Sequence, residues 1–462
     1  MERIFIKDLH DYVGKEVSVS GWVDVRRDHG KLIFIDLRDF TEKVQMVILP
    51  SNKETHAQGE QLRPEWVLRI RGIVNKRPDK MINIELLNGD IELEVKGIEI
   101  LNEAETSPIH IDGDGYDINE ETRLIYRYLD LRRPRLTKNL RNRHAVLQFL
   151  RNFLTEKKFI EVETPILTKS TPEGARDYIV PSRIDKGKFY ALPQSPQQYK
   201  QLLMVSGIER YFQVARCLRD EDPRKDRGPE FTQLDIEMSF VTQEDILSLV
   251  EEMFTKLVTT LYPEKRVSET PWPRLTYKDV MAKYKSDKPD LRKNQSDPNE
   301  LAFAWVLNFP LFEEKMEGKH YAPSHHMFTM PKEEDIPKLD TNPQEVRSYQ
   351  HDLVLNGFEV GGGSIRIHDP KLQTKIFDLI GFTEKEKEYF NHMLEAFRYG
   401  VPPHGGIAPG MDRLLMLLEN EPNIREVIAF PKTGEGRDLM MDAPSDVDKK
   451  QLDELGIEIK KK

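Results

Sequence analysis

The sequence predicts a two-part fold: a small all-β module followed by a larger α+β module on a mostly antiparallel sheet. Three observations carry this. The first hundred residues hold about five short β-branched runs, a polar Gly/Asp tract then interrupts the chain, and beyond it strands and helices follow one another without regular βαβ units.

Composition bounds the class before any motif is considered. A chain of 462 residues, 38% hydrophobic and 32% charged, has apolar material for more than one core and a highly charged surface. The net charge of −10 gives no global attraction to nucleic acid but leaves room for a local basic stripe. A single cysteine, Cys217, excludes an intrachain disulfide and a thiolate-rich zinc site, so no zinc is expected. The opening MERIFIKDLH lacks a secretory apolar core, and no window approaches the length of a membrane span. A cytoplasmic protein with no membrane partner is expected.

Residues 1–104 should form the β module. EVSVSGWVDVRR, KLIFIDLRD, KVQMVIL, EWVLRIRGIVNKR and IELEVKGIEIL are strand-like, with tight turns at 28–30 and 88–90. A closed five-stranded barrel of the OB type is the economical arrangement, and such barrels often carry oligonucleotides. Residues 105–135 read as a linker or hinge running into the short helical stretch TRLIYRYLDLRR, which leaves 136–462 for the α+β domain.

That domain should open with a helix, from the spacing of Leu140, Val146, Leu147, Leu150 and Leu154. Residues 196–205 should be helical, 211–218 and 231–240 strands on either side of a charged loop, and 243–260 an amphipathic helix. Irregular connection is expected over 263–300, a buried strand at 303–309, strands around a GGG turn at 352–367, and helices over 383–399 and 410–420.

Three segments carry the chemistry. In RCLRDEDPRKDRGPEFTQLDIEMSF, a solvated hairpin would account for the loop charges. It accounts less well for Gln233, Asp235 and Glu237 recurring every second residue, which puts all three on one face of a strand. Arg219 can fork onto phosphate oxygens, Glu221 can accept from an exocyclic amine and Phe231 can stack on a purine. In FEVGGGSIRIHD, Glu359 precedes the glycines, Asp352 lies seven residues earlier and Arg366 follows; two carboxylates at such a place suit Mg²⁺ with substrate phosphates. In HGGIAPGMDRLLMLL, glycines lead into a helix whose first turn holds Asp412 and Arg413, an entry suited to an anion. His325 and His326 are adjacent, which disfavours joint chelation; neither HExxH nor GxSxG occurs.

In this order the three segments resemble class II aminoacyl-tRNA synthetases, and specifically the bacterial type of aspartyl-tRNA synthetase. GWVDVRRDHGKLIFIDLRD resembles the anticodon-binding barrel, FIEVETPILTKSTPEGARDY motif 1 and a mobile substrate loop, LRDED motif 2 (usually FRDED) and GMDR motif 3 (usually GLDR). YALPQSPQQYKQLLM and EVGGGSIRIH point to the aspartate enzyme within the class. The resemblance implies ATP and Mg²⁺ as cofactors, L-aspartate and tRNA(Asp) as substrates, and a homodimer through motif 1. It implies that Arg219, Glu221, Phe231 and Arg413 hold ATP and that Asp352 and Glu359 carry Mg²⁺. Arg366 and Lys200 would bind the substrate's side-chain carboxylate, with Glu173, Ser195, Gln197, Gln233 and Asp235 around its ammonium and carboxylate ends. His325 or His326 would close over it. On the barrel, Phe34 and Gln45 would read the central anticodon base beside Arg27. His29 resembles enzymes that also charge tRNA(Asn) and Lys80 those restricted to tRNA(Asp), so the two point in opposite directions.

One departure is plain: the large domain usual between motifs 2 and 3 is missing, and a short connection near 264–300 stands in its place. The competing readings are an asparaginyl- or lysyl-type ligase and a non-catalytic tRNA-binding paralogue. Arg366 with Lys200 favours a carboxylate substrate over an amide or amine, and the presence of both Arg219 and Arg413 argues for an active ligase.

Overall fold

The computed structural model describes residues 2–84, 86–170, 174–314, 316 and 320–460. The chain divides into two compact units, Met1–His110 and Ile111–Lys462. No helix among the described residues is long and apolar enough to cross a membrane.

In the first unit β1 (Glu16–His29), β2 (Leu32–Arg38), β3 (Lys43–Ile48), β4 (Val67–Lys76) and β5 (Ile91–Asn102) pair in the order β1-β2-β3-β5-β4, with β4 returning to β1. Alternation puts Val17, Val19, Val23, Ile33, Ile35 and Leu37 inside. The five strands form a closed ring. This is an OB-type sheet whose β3–β5 seam holds only two parallel register pairs, Met46↔Leu93 and Val47↔Glu94, so the ring is not evenly sealed. A short helix the sequence reading missed, α1 (Lys53–Gln61), lies between β3 and β4. Its mostly polar residues hid it; Asn52 caps it, accepting from the Thr55 amide at 3.3 Å.

The second unit opens with α2 (Glu120–Ile125), α3 (Arg127–Asp130) and α4 (Pro134–Glu156). There follow β6 (Ile160–Glu161), β7 (Ile179–Pro181), β8 (Phe189–Ala191), α5 (Gln197–Val205), β9 (Arg210–Leu218), β10 (Glu230–Ser239) and α6 (Gln243–Leu261). Next come β11 (Arg266–Val267), β12 (Arg274–Thr276), α7 (Tyr277–Tyr284), β13 (Glu300–Leu301), β14 (Phe303–Leu307), β15 (Gln350–Leu355) and β16 (Phe358–Ile365). The chain continues through α8 (Pro370–Leu379), α9 (Glu384–Lys387), α10 (Asn391–Phe397), β17 (His404–Pro409), α11 (Met411–Leu418) and α12 (Lys449–Leu455). Eight strands form one sheet, β12-β14-β15-β16-β17-β10-β9-β6. Five of its seven pairings are antiparallel, as the sequence predicts, and only the two edge pairs, β12–β14 and β6–β9, are parallel. Parallel neighbours need crossover connections rather than hairpins, and the stretches separating these pairs in sequence supply them. One core, including Val146, Leu150, Ile236, Met253, Trp272 and Leu414, packs α4, α6 and α11 on the sheet.

Three local expectations change. The glycines at 361–363 form no turn. β16 runs straight through them, and the reversal is at Asn356–Gly357, whose φ values of 50° and 85° supply the left-handed pair. The glycines at 405–406 belong to β17, not to a helix entry. The helix expected over 383–399 is broken into α9, a 3₁₀ turn at Glu388–Phe390 and α10.

Behind α4, Asp130 is fully buried and gathers three arginines: Arg133 at 2.7 Å, Arg127 at 2.8 Å and Arg123 at 3.1 Å, with Arg123 also on Glu426 at 2.7 Å. Burial pushes the Asp130 carboxyl up, but hydrogen bonds from Arg123 and Arg133 outweigh it and hold it below the usual range. Asp130→Ala should therefore cost this unit about 3–5 kcal/mol in chemical denaturation, because three guanidinium groups lose a shared buried partner. A loss below about 1 kcal/mol would show the cluster to be dispensable.

Candidate active site

The second unit contains a cavity of about 740 Å³ lined by Ser195, Gln197, Lys200, Arg219, Glu221, Phe231, Gln233, Asp235, His325, His326, Glu359, Arg366 and Arg413. Of the residues singled out in this unit, Asp352 lies just behind that lining, and Glu173 falls outside the described residues.

The floor is β10, whose alternation aims Gln233, Asp235 and Glu237 into the cavity side of the sheet. Asp235 and Glu237 are fully buried. Their cations come from two other elements. Lys200, on α5, donates to Asp235 Oδ1 at 2.7 Å and stands 3.4 Å from Glu237 Oε2. Arg366, just past β16, grips Glu237 through Nε at 3.0 Å and Nη2 at 3.2 Å. Its Nη1 donates to Ser364 Oγ and to His326 Nε2, both at 2.7 Å. His326 can accept because burial and the neighbouring Arg366 charge hold it neutral, well below its usual range. Arg366 thus has four of its five N–H groups engaged, and one on Nη2 remains. Burial pushes the Asp235 carboxyl up despite Lys200, whereas the charges of Arg366 and Lys200 overcome burial and hold Glu237 down. Glu237 belongs to the alternating face seen in the sequence but had been given no role.

At the other end, the Arg219 guanidinium lies 5.1 Å from the centre of the Phe231 ring, a cation–π pair on the cavity wall. Glu221 is paired with Arg227 at 2.9 Å. Arg413 reaches back from α11 to Asp226 at 3.1 Å and to the Glu359 carbonyl oxygen. Between the two ends, Asp352 and Glu359 converge over bare backbone. A Cβ on Gly362 would lie 3.3 Å from Asp352 Oδ1 and 3.6 Å from Glu359 Oε1. Burial and the Asp352 charge push the Glu359 carboxyl up, the signature of two carboxylates sharing a site without a cation. Gln350, also missed in the sequence, donates to Asp352 Oδ1 at 2.7 Å. His325 Nε2 is 3.4 Å from Asp352; burial opposes its charging, and the carboxylate outweighs burial and raises it. No cluster of three or more metal-binding side chains occurs among the described residues. Two converging carboxylates are the residues here that could hold a cation such as Mg²⁺, which takes oxygen ligands.

The first unit carries its own polar surface. Arg27 and Phe34 are register partners across β1 and β2, and Asp36 faces Gln45 across β2 and β3. Arg27 forks onto Asp36 at 2.7 and 2.8 Å, and Gln45 donates to Glu92 at 3.1 Å. Arg27 and Gln45 line a hollow of about 320 Å³ with Lys43 and Arg77, neither of which the sequence reading had singled out. Phe34 is half-buried, while His29 beside the β1–β2 turn and Lys80 in the single turn Asp79–Met81 are exposed and lie outside that hollow.

The family described as tRNA synthetases class II (D, K and N) matches residues 119–434, and OB-fold nucleic acid binding domain matches 17–101. Aspartate–tRNA(Asp/Asn) ligase of Rubrobacter xylanophilus is 44% identical, the match covering 97% of this chain and 95% of that one. The chain belongs to the class II aspartate–tRNA ligases. Aspartate–tRNA ligase of Staphylococcus epidermidis is 39% identical over 97% of this chain and 98% of its own. Among solved structures, asparaginyl-tRNA synthetase from Pyrococcus horikoshii complexed with asparaginyl-adenylate has the same fold, with a TM-score of 0.75 and 22% identity, covering 94% of this chain and 98% of that one. Aspartyl tRNA synthetase from Entamoeba histolytica gives 0.73 and 25%, covering 93% and 91%. The alignment with the Rubrobacter enzyme runs over 571 residues although this ligase has 462, so that relative carries more than a hundred residues with no counterpart here. Between α7 and β13 this ligase passes through residues 285–299 without helix or strand.

Two neutral histidines give the unit an acid sensitivity. Burial lowers both His351 and His404 to about 4. Unfolding restores each to about 6.5, so the unfolded chain binds more protons between those values and stability falls as pH drops through that window. His404→Asn should reduce the slope of unfolding free energy against pH by about 1.4 kcal/mol per unit between pH 6 and 5. An unchanged slope would mean that His404 is already charged in the folded state.

Proposed function

We propose that this cavity performs both steps of aspartate–tRNA ligation, ATP-dependent activation of L-aspartate and its transfer to tRNA(Asp). The observation that carries the reading is a pair of buried cations, Lys200 and Arg366, at one end of a cavity whose other end holds Arg219, Phe231 and Arg413. A side-chain carboxylate takes the N–H left over on Arg366 and one on Lys200. Asp235, Gln233, Ser195, Gln197 and Glu173 surround the ammonium and α-carboxylate, and His325 or His326 closes over them. Adenine lies on Phe231 with its amine on Glu221, Arg219 grips the α-phosphate and Arg413 the γ-phosphate.

An oxygen of the aspartate α-carboxylate attacks the α-phosphorus. The bond from that phosphorus to the bridging oxygen breaks and pyrophosphate leaves. The attacking group is already ionised, so the step needs positive charge and in-line placement rather than a base. Mg²⁺ held by Asp352 and Glu359 would neutralise phosphate charge there. In the second step the terminal ribose hydroxyl attacks the adenylate carbonyl carbon. The carbon–oxygen bond to phosphate breaks, AMP leaves, and a phosphate oxygen takes the hydroxyl proton. The first unit is the anticodon-binding domain, with Phe34 stacking on the central anticodon base, Gln45 reading it and Arg27 nearby. A cytoplasmic homodimer through motif 1 completes the reading; exposed Ile160, Ile166, Leu167, Ile179 and Phe189 near that motif support it.

Aspartate should drive ATP–pyrophosphate exchange without tRNA, and exchange with asparagine or lysine in its place would defeat the proposal. Arg366→Ala should raise the aspartate KM more than about a hundredfold while changing the ATP KM little, since a substrate carboxylate would be buried beside Glu237 with Lys200 left as the cation shared between them. An aspartate KM within about twofold of wild type would remove Arg366 from the carboxylate site.

We further propose that tRNA(Asn) is charged as well, within about tenfold of tRNA(Asp) in kcat/KM. His29, able to donate or accept, suits either third anticodon base, whereas Lys80 can serve a phosphate as readily as a base edge. His29→Leu should widen the gap by lowering charging of tRNA(Asn). Assays on both transcripts check this, and a wild-type preference above about a hundredfold for tRNA(Asp) would reject it.

A further inference from the structure

A chain of buried polar groups runs behind the amino-acid end of the cavity, and two of its members, Gln201 and His404, have no part in the reading above. Gln201 and His404 are fully buried, and Gln197 is nearly so. His404 Nδ1 stands 2.8 Å from the Pro402 carbonyl oxygen, which can only accept, so Nδ1 carries the proton. The ring is neutral under ordinary conditions, held at about 4 by burial, which leaves Nε2 as a lone pair. Gln201, 3.1 Å from Nε2, must therefore present its amide nitrogen there. Its oxygen is then turned to Gln197, whose amide nitrogen donates to it at 3.1 Å. With that nitrogen engaged behind, the Gln197 oxygen is left for the cavity that Gln197 lines.

We propose that His404 and Gln201 are positioning residues that fix Gln197 as a hydrogen-bond acceptor, so that the site reads the ammonium group of its amino acid. This rests on the proposed place of that ammonium beside Gln197. Each link sets the next: an imidazole facing a carbonyl chooses its tautomer, the tautomer chooses the orientation of one carboxamide, and that carboxamide chooses the other. Without the relay, Gln197 can turn its amide nitrogen toward the ammonium and repel it.

The test compares aspartate with succinate, which keeps both carboxylates and lacks the ammonium, in pyrophosphate exchange. Gln201→Met keeps the side-chain volume and breaks the relay. It should raise the aspartate KM about tenfold while leaving the ATP KM and the inhibition constant of succinate within about twofold. Equal weakening of aspartate and succinate, or no change in either, overturns the proposal. Gln197→Met separates the layers. If it leaves the aspartate-to-succinate ratio unchanged, Gln197 does not meet the ammonium and the underlying reading fails. If it weakens aspartate relative to succinate while Gln201→Met does not, the reading stands and the relay fails. Should Gln201→Met not fold, His404→Phe decides: it keeps a ring of similar size and removes the Nε2 acceptor, so aspartate should weaken relative to succinate, and an unchanged preference overturns the proposal.

Discussion

Two carboxylates buried on one strand, Asp235 and Glu237, are the constraint on which the second unit depends. A buried charge survives only with a partner, and removing that partner typically costs about 3–5 kcal/mol. β10 has no cation of its own to offer them. Lys200 must come from α5 and Arg366 from the end of β16, so the charge requirement pins a helix and a strand end to one spot on the sheet. Arg366 in turn needs somewhere to put its remaining donors, and Ser364 and neutral His326 take two of them. Lys200 and Arg366 also line the cavity, so the groups that neutralise the buried pair stand where a ligand would meet them.

The room for a ligand above that floor is made by missing side chains. On Gly406 a Cβ would fall 1.9 Å from the Ile236 carbonyl oxygen and 2.3 Å from Glu237 Oε2, so only glycine lets β17 lie against β10 over a buried glutamate. Gly362 likewise keeps a methyl from between Asp352 and Glu359. The glycines thin the sheet where charged groups must approach the backbone, while β16 and β17 stay fully paired.

Local pattern made part of this legible. Alternation every second residue identified the polar face of β10, because side-chain direction in a strand follows from spacing alone. The same reasoning failed where a residue's meaning depends on its neighbour in space. Three glycines read as a turn because the Asn356–Gly357 pair between two apolar runs, itself a hairpin signal, was passed over in favour of the glycine run. The pairing of Glu237 with Arg366 spans 129 residues and that of Gln201 with His404 spans 203, separations that carry no periodic signal. α1 was hidden by polar composition. The β3–β5 seam of the N-terminal ring holds only two register pairs, a detail that strand-by-strand reading cannot see. The resemblance to aspartyl-tRNA synthetases placed residues from three distant segments at one site; spacing alone would not have joined them.

If the leftover donors of Lys200 and Arg366 set which amino acid is chosen, that choice must already exist in binding, before any bond changes. Calorimetric titration of the intact protein with aspartate and with asparagine, in the presence of an unreactive ATP analogue, tests this most directly. The account requires aspartate to bind at least about a hundredfold more tightly, since asparagine offers a neutral amide to a cation pair built for charge. Equal affinity for the two would contradict it.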